Sequence, residues 1–337
     1  MRREEYGDFA RALVEWFRAQ GRSYPWRRTT DPWAILVSEV MLQQTTIPTV
    51  LARYEGWLQL YPTPAALAAA TEQEALRSWE GLGYYRRVRA LRAAAQCLVQ
   101  EHDGVFPETA AGLRALPGIG EYTVGALMSF AWNRPAPLVD ANVARVFARV
   151  FNDATPVDSP AGRKKHWEWA AQLVHPTEPR AYNSALMELG QTLCTPGTPR
   201  CEACPVRRWC RAEHPESLPI KLPKKEVLQL EHWDLWLLTE QGLLLEKQAA
   251  RGRHAGMYRL PQREQELAER FPLICHQKYS VTRYKVIRHL HGVPAGAPAI
   301  ALCPGEEYVT RAALAAIPMA SPDRKLVLRL LASAEEV

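Results

Sequence analysis

The chain has 337 residues, of which 47% are apolar and 23% charged, as in ordinary soluble globular proteins. These proportions exclude a disordered chain, a collagen-like fibre and a disulfide-rich mini-protein, and the length predicts two domains or slightly more. No apolar run approaches the roughly 20 residues that span a bilayer, and the N-terminus lacks the pattern of a signal peptide. We therefore expect a cytoplasmic protein without a membrane partner.

The formal net charge is +6, and most of the excess lies in residues 1–225, which carry 28 basic and 23 acidic side chains. A basic surface suits a polyanion, because neutralised phosphates supply most of the non-specific affinity for nucleic acid. An excess of this size is common, so charge alone favours a nucleic-acid partner only slightly.

Apolar residues recur every three or four positions up to about residue 193, which predicts about ten helices joined by short turns. Two helix starts are well marked, because Asp31 precedes Pro32 at a first helical position, and Thr71 and Glu74 form a capping box. The first part of the chain is therefore predicted to be almost entirely α-helical.

Two carboxylates in this helical part are candidates for chemistry. Glu39 lies in a helix that is apolar nearly all round, so it is either a buried, hydrogen-bonded glutamate or a general acid whose pKa is raised by burial. Asp140 precedes a predicted helix over 143–150 and suits an N-cap, a role in which backbone N–H groups would keep it ionised.

A short glycine-containing turn, residues 116–120, separates two predicted helices, the second running from about 122 to 132. Gly118 and Gly120 carry no side chain, so the backbone N–H groups can face a phosphate at the helix N-terminus. A Gly-x-Gly sequence between helices is, however, more often a plain tight turn.

Four of the seven cysteines lie within 17 residues, with the spacing C-x6-C-x2-C-x5-C: Cys194, Cys201, Cys204 and Cys210. Such a group in a cytosolic chain favours metal binding over disulfides, and four thiolates suit tetrahedral zinc or a [4Fe–4S] cluster. Zinc ribbons usually have two CxxC pairs and this chain has one, so the spacing favours iron–sulfur. We expect Cys97, Cys275 and Cys303 to be small buried hydrophobes.

A polar, proline-containing linker is predicted over 213–229. Beyond it, strands are predicted over 233–238, 243–247 and 279–289, and helices near 262–270, over 308–316 and after Asp323. This pattern is typical of a small α+β domain.

Together these features resemble the helix-hairpin-helix DNA glycosylases with a terminal iron–sulfur loop, and among them the MutY-type adenine DNA glycosylases. The resemblance covers about residues 20–212 and rests on five segments: 38–45 (SEVMLQQT), 79–85 (WEGLGYY), 116–123 (LPGIGEYT), 139–143 (VDANV) and 185–190 (ALMELG). The tail more faintly resembles the C-terminal Nudix-like domain of that family, through 256–261 and 276–280.

The resemblance implies a mostly α fold with a small α+β C-terminal domain. A catalytic region over 1–225 would comprise a six-helix barrel (31–130) and an iron–sulfur subdomain (1–30 with 131–225). A linker (213–229) would lead to a Nudix-like lesion-recognition domain (230–337). The implied protein is a nucleoid-associated monomer that binds double-stranded DNA with adenine opposite 8-oxoguanine or guanine, and it flips the adenine out of the stack.

The resemblance also implies roles for individual residues. Protonated Glu39 would donate to adenine N7, and Asp140 would stabilise the cationic sugar or add to it covalently. Tyr122 and Asn142 would position these two groups. Tyr122 stands where bifunctional relatives place a lysine, which implies a monofunctional enzyme.

Further roles are carried over in the same way. The four cysteines would hold a [4Fe–4S] cluster. The remaining implied residues contact DNA (Gln44, Thr45, Leu82, Tyr84, Gly118, Gly120), form the base pocket (Trp26, Arg27, Ser184) or recognise the lesion (Tyr279, Ser280). For Trp26, an ordinary place in the core explains the residue nearly as well.

The chain departs from the family pattern at Ala141, where glycine is frequent, at Ser184, where glutamine or glutamate is usual, and at Val281, where relatives carry a histidine. Nudix hydrolase activity is not expected, because Gln262 occupies a position that needs an acidic magnesium ligand. Three alternatives stay open: an endonuclease III-like or thymine glycosylase acting on G·T mismatches, a non-catalytic mismatch-binding protein, and an iron–sulfur electron carrier.

Overall fold

A computed structural model describes residues 1–223, 226–249, 252, 254–294, 296–298 and 300–333. The chain forms two compact units. The first comprises Met1–Ala68 and Ala93–Pro223, and the second comprises Ala69–Arg92 and Lys224–Val337. No helix among the described residues is both long and apolar enough to cross a membrane.

Twelve α-helices lie between residues 6 and 192, slightly more than the ten predicted, and they confirm the mostly α fold. Their bounds are α1 (Tyr6–Gln20), α2 (Pro32–Leu42), α3 (Ile47–Leu51), α4 (Tyr54–Leu60), α5 (Pro64–Ala69), α6 (Glu72–Ser78), α7 (Arg86–His102), α8 (Ala110–Ala115), α9 (Glu121–Phe130), α10 (Ala141–Val150), α11 (Pro160–Leu173) and α12 (Pro179–Thr192).

Helix starts follow the predicted capping signals. The Asp31 carboxylate accepts hydrogen bonds from the backbone N–H groups of Trp33 at 3.0 Å and Ala34 at 3.3 Å. Thr71 and Glu74 form the predicted capping box at the start of α6. Each such cap satisfies backbone donors that the helix itself leaves unpaired and contributes about 1 kcal/mol.

One core cluster of the first unit is formed mainly by α1, α10 and α12. Phe9, Phe147 and Leu189 are completely buried there, and each such side chain contributes roughly 1.5–3 kcal/mol by leaving water. Helices α10 and α12 approach closely at Gly190, where a Cβ atom would lie 2.7 Å from Cβ of Asn142. Only glycine therefore allows this approach, which fixes the start of α10 beside α12.

The predicted hairpin is present between α8 and α9. Gly118 has φ +74°, in the left-handed region that favours glycine. Gly120 is the N-cap residue of α9, and both glycines are exposed, so the first N–H groups of α9 are accessible.

The second unit contains two four-stranded sheets. The first has the order β5-β1-β7-β6, and in the second β3 pairs with β2, β4 and β8. Strands β1 and β7 are parallel, with Leu228 opposite Tyr284. The bounds are β1 (Leu228–Trp236), β2 (Leu238–Thr239), β3 (Gly242–Lys247), β4 (Tyr258–Arg259), β5 (Gln262–Arg263), β6 (Leu273–Val281), β7 (Tyr284–Gly292) and β8 (Glu306–Val309), with helices α13 (Gln265–Ala268), α14 (Arg311–Leu314) and α15 (Ser321–Ser333).

Three predictions for this unit were wrong in detail. The single strand over 279–289 is the end of β6, a tight turn at Thr282, whose φ is +54°, and the first part of β7. The helices over 262–270 and 308–316 shrink to α13 and α14, because strands β5 and β8 occupy their first residues. Short alternating runs of this kind are compatible with either structure until a partner strand is known.

Polar contacts tie residues 69–92 into the second unit. Arg324 Nε donates to Glu80 Oε1 at 2.9 Å, and the Tyr85 hydroxyl donates to the Met319 carbonyl at 3.2 Å. Arg89 also donates to the Ala255 carbonyl. The sequence did not predict that this helical segment would pack with the C-terminal residues.

Candidate active site

A cavity of about 580 Å³ lies within the first unit, lined by side chains from four separate parts of the chain. It brings together nine of the predicted site residues: Trp26, Arg27, Glu39, Gln44, Thr45, Tyr122, Asp140, Asn142 and Ser184. A cavity of this size can hold a single nucleobase with its sugar.

Glu39 is buried in this cavity, with 4% of the residue exposed. The Tyr122 hydroxyl donates a hydrogen bond to Glu39 Oε2 at 2.7 Å. Burial raises the pKa of Glu39 to about 7, the hydrogen bond from Tyr122 lowers it, and the charge of Asp140 raises it. Glu39 therefore carries a proton for much of the time at neutral pH, and its other oxygen is free of the Tyr122 bond.

Asp140 is the N-cap residue of α10, as predicted. Its Oδ1 accepts from the Val143 backbone N–H at 2.7 Å, and its Oδ2 accepts from the Asn142 side-chain amide at 2.8 Å. Burial raises the pKa of Asp140, and these hydrogen bonds oppose that rise by favouring the ionised form. The two carboxylates thus differ in surroundings: Glu39 accepts from a hydroxyl, and Asp140 accepts from amide groups.

Arg145 connects this arrangement to the end of α12. Its guanidinium donates to Asn142 Oδ1 at 2.9 Å and to the carbonyls of Gly190 at 2.7 Å and Cys194 at 2.8 Å. The Asn142 amide is therefore oriented with its nitrogen toward Asp140. Sequence reasoning did not identify Arg145 as part of the site.

Trp26 and Arg27 both contribute to the cavity wall. The Trp26 ring stacks on Tyr24 with centroids 5.0 Å apart and is itself buried, so it serves the core and the wall together. Arg27 Nη1 donates to Glu188 Oε2 at 2.7 Å, and Arg22 binds the other oxygen of Glu188. Glu188 is 1% exposed, and the two arginines compensate its burial.

Other wall residues were missed by the sequence analysis. Arg180 lines the cavity and donates to the backbone carbonyls of Arg27 at 2.9 Å and Thr29 at 2.5 Å. Met187 also lines it, with its sulfur 3.9 Å from the Tyr122 hydroxyl. Both residues lie on α12, and no local sequence pattern distinguishes them from the other residues of that helix.

The predicted DNA-contacting residues fall into separate places. Gln44 has φ +59° just after α2 and lines the cavity with Thr45. Gly118 and Gly120 lie in the exposed hairpin of the first unit and do not line this cavity. In the second unit, Leu82 and Tyr84 differ: Leu82 is buried, whereas Tyr84 has φ +47° and is 42% exposed.

The predicted lesion-recognition residues lie on β6 in the second unit. The Tyr279 ring has the Arg288 guanidinium 5.2 Å from its centroid, and Arg288 Nη2 donates to the Tyr279 hydroxyl at 3.4 Å. Arg288 also binds Asp234 at 2.6 Å and Asp323 at 2.7 Å, which fixes its position. Ser280 is exposed beside this ordered tyrosine, and Val281 ends the strand.

The four clustered cysteines follow α12 in the first unit, and all four are free thiols of intermediate burial. A zinc ion bound at 2.3 Å would bring sulfur atoms within about 3.8 Å of one another. Among the described residues, no three of these four sulfurs lie within 4.8 Å of one another. The four cysteines are the residues of this loop that could hold a metal centre.

The surroundings of the cysteines also suit thiolate ligands. Arg149 Nη1 donates to Cys194 Sγ at 3.3 Å. Burial raises the pKa of Cys204 to about 11, so a bound cation is needed to deprotonate it. The prediction that the other three cysteines are buried was wrong, since Cys303 is exposed and Cys97 and Cys275 are only partly buried.

Comparison with known proteins agrees with this geometry. Residues 37–172 match the family described as the HhH-GPD superfamily base excision DNA repair protein. Curated relatives include the adenine DNA glycosylases of Homo sapiens, 43% identical over 60% of this chain and 39% of that protein, and of Mycolicibacterium smegmatis, 42% identical over 60% of this chain and 70% of that protein. The chain belongs to the adenine DNA glycosylase family within this superfamily.

Solved structures give the same fold for the first part of the chain. A thermostable thymine-DNA glycosylase superposes with a TM-score of 0.57 at 28% identity, covering 62% of this chain and 96% of that one. An endonuclease III in a non-covalent complex with DNA superposes with a TM-score of 0.53 at 22% identity, covering 63% and 96%. The chain spans 39% and 41% of the lengths of the human and rat relatives.

Proposed function

We propose that this protein is a monofunctional DNA glycosylase that hydrolyses the N-glycosidic bond of adenine paired with 8-oxoguanine or guanine in double-stranded DNA. The observation that carries the proposal is a pair of carboxylates in one cavity, the buried Glu39 and the partly buried Asp140, with Tyr122 hydrogen-bonded to Glu39. A base inside a duplex cannot enter such a cavity, so the adenine must be flipped out of the stack.

The two carboxylates would divide the chemistry between them. Protonated Glu39 donates to adenine N7, which converts the base into a neutral leaving group as the glycosidic bond breaks. Ionised Asp140 stabilises the positive sugar or adds to its anomeric carbon. Water then takes the place of the base on that carbon, and deprotonated Glu39 accepts a proton from the water. Asn142 keeps Asp140 oriented throughout.

Tyr122 supports a monofunctional reaction. Strand cleavage by a bifunctional glycosylase needs an amine that condenses with the opened sugar, and a phenol cannot form that Schiff base. The Tyr122 hydroxyl is hydrogen-bonded to Glu39, so it orients the acid. The product of the reaction is therefore free adenine and an intact strand with an abasic site.

The proposal extends to the cofactor and to the DNA. Cys194, Cys201, Cys204 and Cys210 would hold a [4Fe–4S] cluster, which would order the loop after α12 by joining its thiolates. Gln44 and Thr45 at the cavity, the exposed hairpin N–H groups, and Tyr84 and Ser280 would contact a DNA duplex bound by one monomer. The exposed backbone donors of α9 suit a phosphate.

The test is base release under single-turnover conditions from matched duplexes that carry adenine, thymine or uracil opposite guanine or 8-oxoguanine. We expect release of adenine and an intact strand until alkali is added. Release of thymine opposite guanine would support a thymine glycosylase instead. Tight mismatch binding without release of any base would indicate a non-catalytic binding protein. Absence of DNA binding would favour the remaining alternative, an iron–sulfur electron carrier.

A further inference from the structure

A second cavity, which we call the side chamber, adjoins the base cavity in the first unit. It has a volume of about 330 Å³ and shares three lining residues with the base cavity: Arg27, Arg180 and Ser184. Its other lining residues are Phe17, Asn133, Glu178 and Ala181. The three shared residues form the boundary between the two spaces.

Hydrogen bonds hold two of the three boundary residues in place. Arg27 donates to the Arg22 carbonyl at 2.8 Å and to the Glu188 carboxylate at 2.7 Å. Arg180 donates to the carbonyls of Arg27 at 2.9 Å and Thr29 at 2.5 Å. Each of these bonds involves a charged guanidinium, and such bonds are stronger than those between neutral groups, so neither arginine readily swings across the boundary.

Ser184 is the smallest of the three boundary residues. It lies on α12 between residues that are themselves buried, and it is only 7% exposed, so its place is fixed by the helix. Its side chain extends only one atom beyond Cβ and leaves space that a longer side chain would fill. Asn133 is exposed, so the side chamber reaches solvent at its outer end.

The chemistry of adenine determines which part of the base faces away from the sugar. Asp140 must lie at the anomeric carbon and Glu39 at N7, because those are the atoms on which they act. The exocyclic N6 is next to N7 and on the side of the purine opposite the glycosidic nitrogen N9. A base held by these two carboxylates therefore directs N6 away from Asp140 and toward other lining residues of the base cavity.

We propose that Ser184 is a specificity residue that opens the base cavity to a substituent on N6, so that the enzyme releases N6-alkylated adenines as well as adenine. The inference rests on the proposed adenine glycosylase activity. An N6-alkyl group leaves N7 free to accept the proton from Glu39, so the chemistry is unchanged. Phe17 and Ala181 offer apolar contacts to a short alkyl chain in the side chamber.

The experiment measures single-turnover release of adenine, N6-methyladenine and N6-propyladenine, each opposite 8-oxoguanine, by the wild type, Ser184→Gln and Ser184→Ala. The readout is the ratio of the rate for the substituted base to the rate for adenine, which removes effects common to both substrates. We expect the wild-type ratio for the propyl base to lie within about tenfold of unity, and Ser184→Gln to lower it about 100-fold by filling the boundary. Ser184→Ala keeps the boundary open and should retain the wild-type ratio within about threefold.

Two results would overturn the inference while leaving the proposed function standing. One is a wild type that releases adenine and not the propyl base, and the other is a ratio that Ser184→Gln does not lower. Absence of adenine release would instead refute the proposed function, and the inference with it. If Ser184→Gln does not fold by circular dichroism, Ser184→Asn replaces it and should lower the ratio for the propyl base more than that for the methyl base.

Discussion

Removal of the Tyr122 hydroxyl should move the pH dependence of base release in a direction that the structure fixes. The hydroxyl donates to Glu39 at 2.7 Å and lowers the pKa of Glu39, which burial alone would raise beyond about 7. A hydrogen bond to a charged group is worth roughly 1.5–3 kcal/mol, and one pKa unit corresponds to about 1.4 kcal/mol. Tyr122→Phe should therefore raise the pKa of Glu39 by about one to two units.

The sign follows from the proposed role of Glu39 as an acid. Release needs its protonated form, so the rate falls as pH rises through its pKa, and that fall should move to higher pH in Tyr122→Phe. The assay is single-turnover release of adenine measured from about pH 5 to pH 10, and the quantity compared is the midpoint of the alkaline fall rather than the maximal rate.

Tyr182→Phe is the matched control for this prediction. Tyr182 is buried in the core of the first unit, and its hydroxyl has no hydrogen-bond partner among the described residues. Its midpoint should equal that of the wild type. A midpoint in Tyr122→Phe that stays at the wild-type pH, or moves to lower pH, would refute the assignment of Glu39 as the titrating acid.

Three other variants test the remaining assignments. Glu39→Gln should abolish base release and keep duplex affinity within about threefold, because the amide keeps the size of the side chain and cannot supply the proton; retained turnover would place the acid elsewhere. The purified protein should carry about four irons per chain and lose them in Cys204→Ser, whereas a colourless protein with one zinc would contradict the cluster. Val281→His should increase the preference for 8-oxoguanine over guanine by about 1–3 kcal/mol, and an unchanged ratio of affinities would count against a role for this strand end in recognition.

The surroundings of the two carboxylates could be predicted from short stretches of sequence. A carboxylate in a helix that is apolar nearly all round has to be buried, and Glu39 is. An aspartate just before a helical pattern has to be considered an N-cap, and Asp140 is one. Such inferences succeed because burial and capping depend on neighbours within one or two turns of a helix.

The missing parts of the site depend on contacts between distant residues. Glu188 and Arg27 are 161 positions apart, and Arg180 and Thr29 are 151 apart. Nothing in the local pattern around Arg180 distinguishes a wall residue from a solvated one. The parallel pairing of β1 with β7 could not be predicted for the same reason. Parallel strands are not joined by a short turn, so no turn signal in the sequence identifies the partner strand.

The second unit is assembled from pieces of chain that are synthesised far apart in time. Arg77 donates to the carbonyl of Ala315 at 2.6 Å, and Glu80 binds Arg324, across separations of 238 and 244 residues. Long loops must close before such contacts form, which slows folding. Residues 69–92 cannot make these contacts until the C-terminal residues have been synthesised. A protein shortened to residues 1–225 would lose these partners, so its defects would include impaired folding of an internal segment as well as the loss of whatever the C-terminal residues bind.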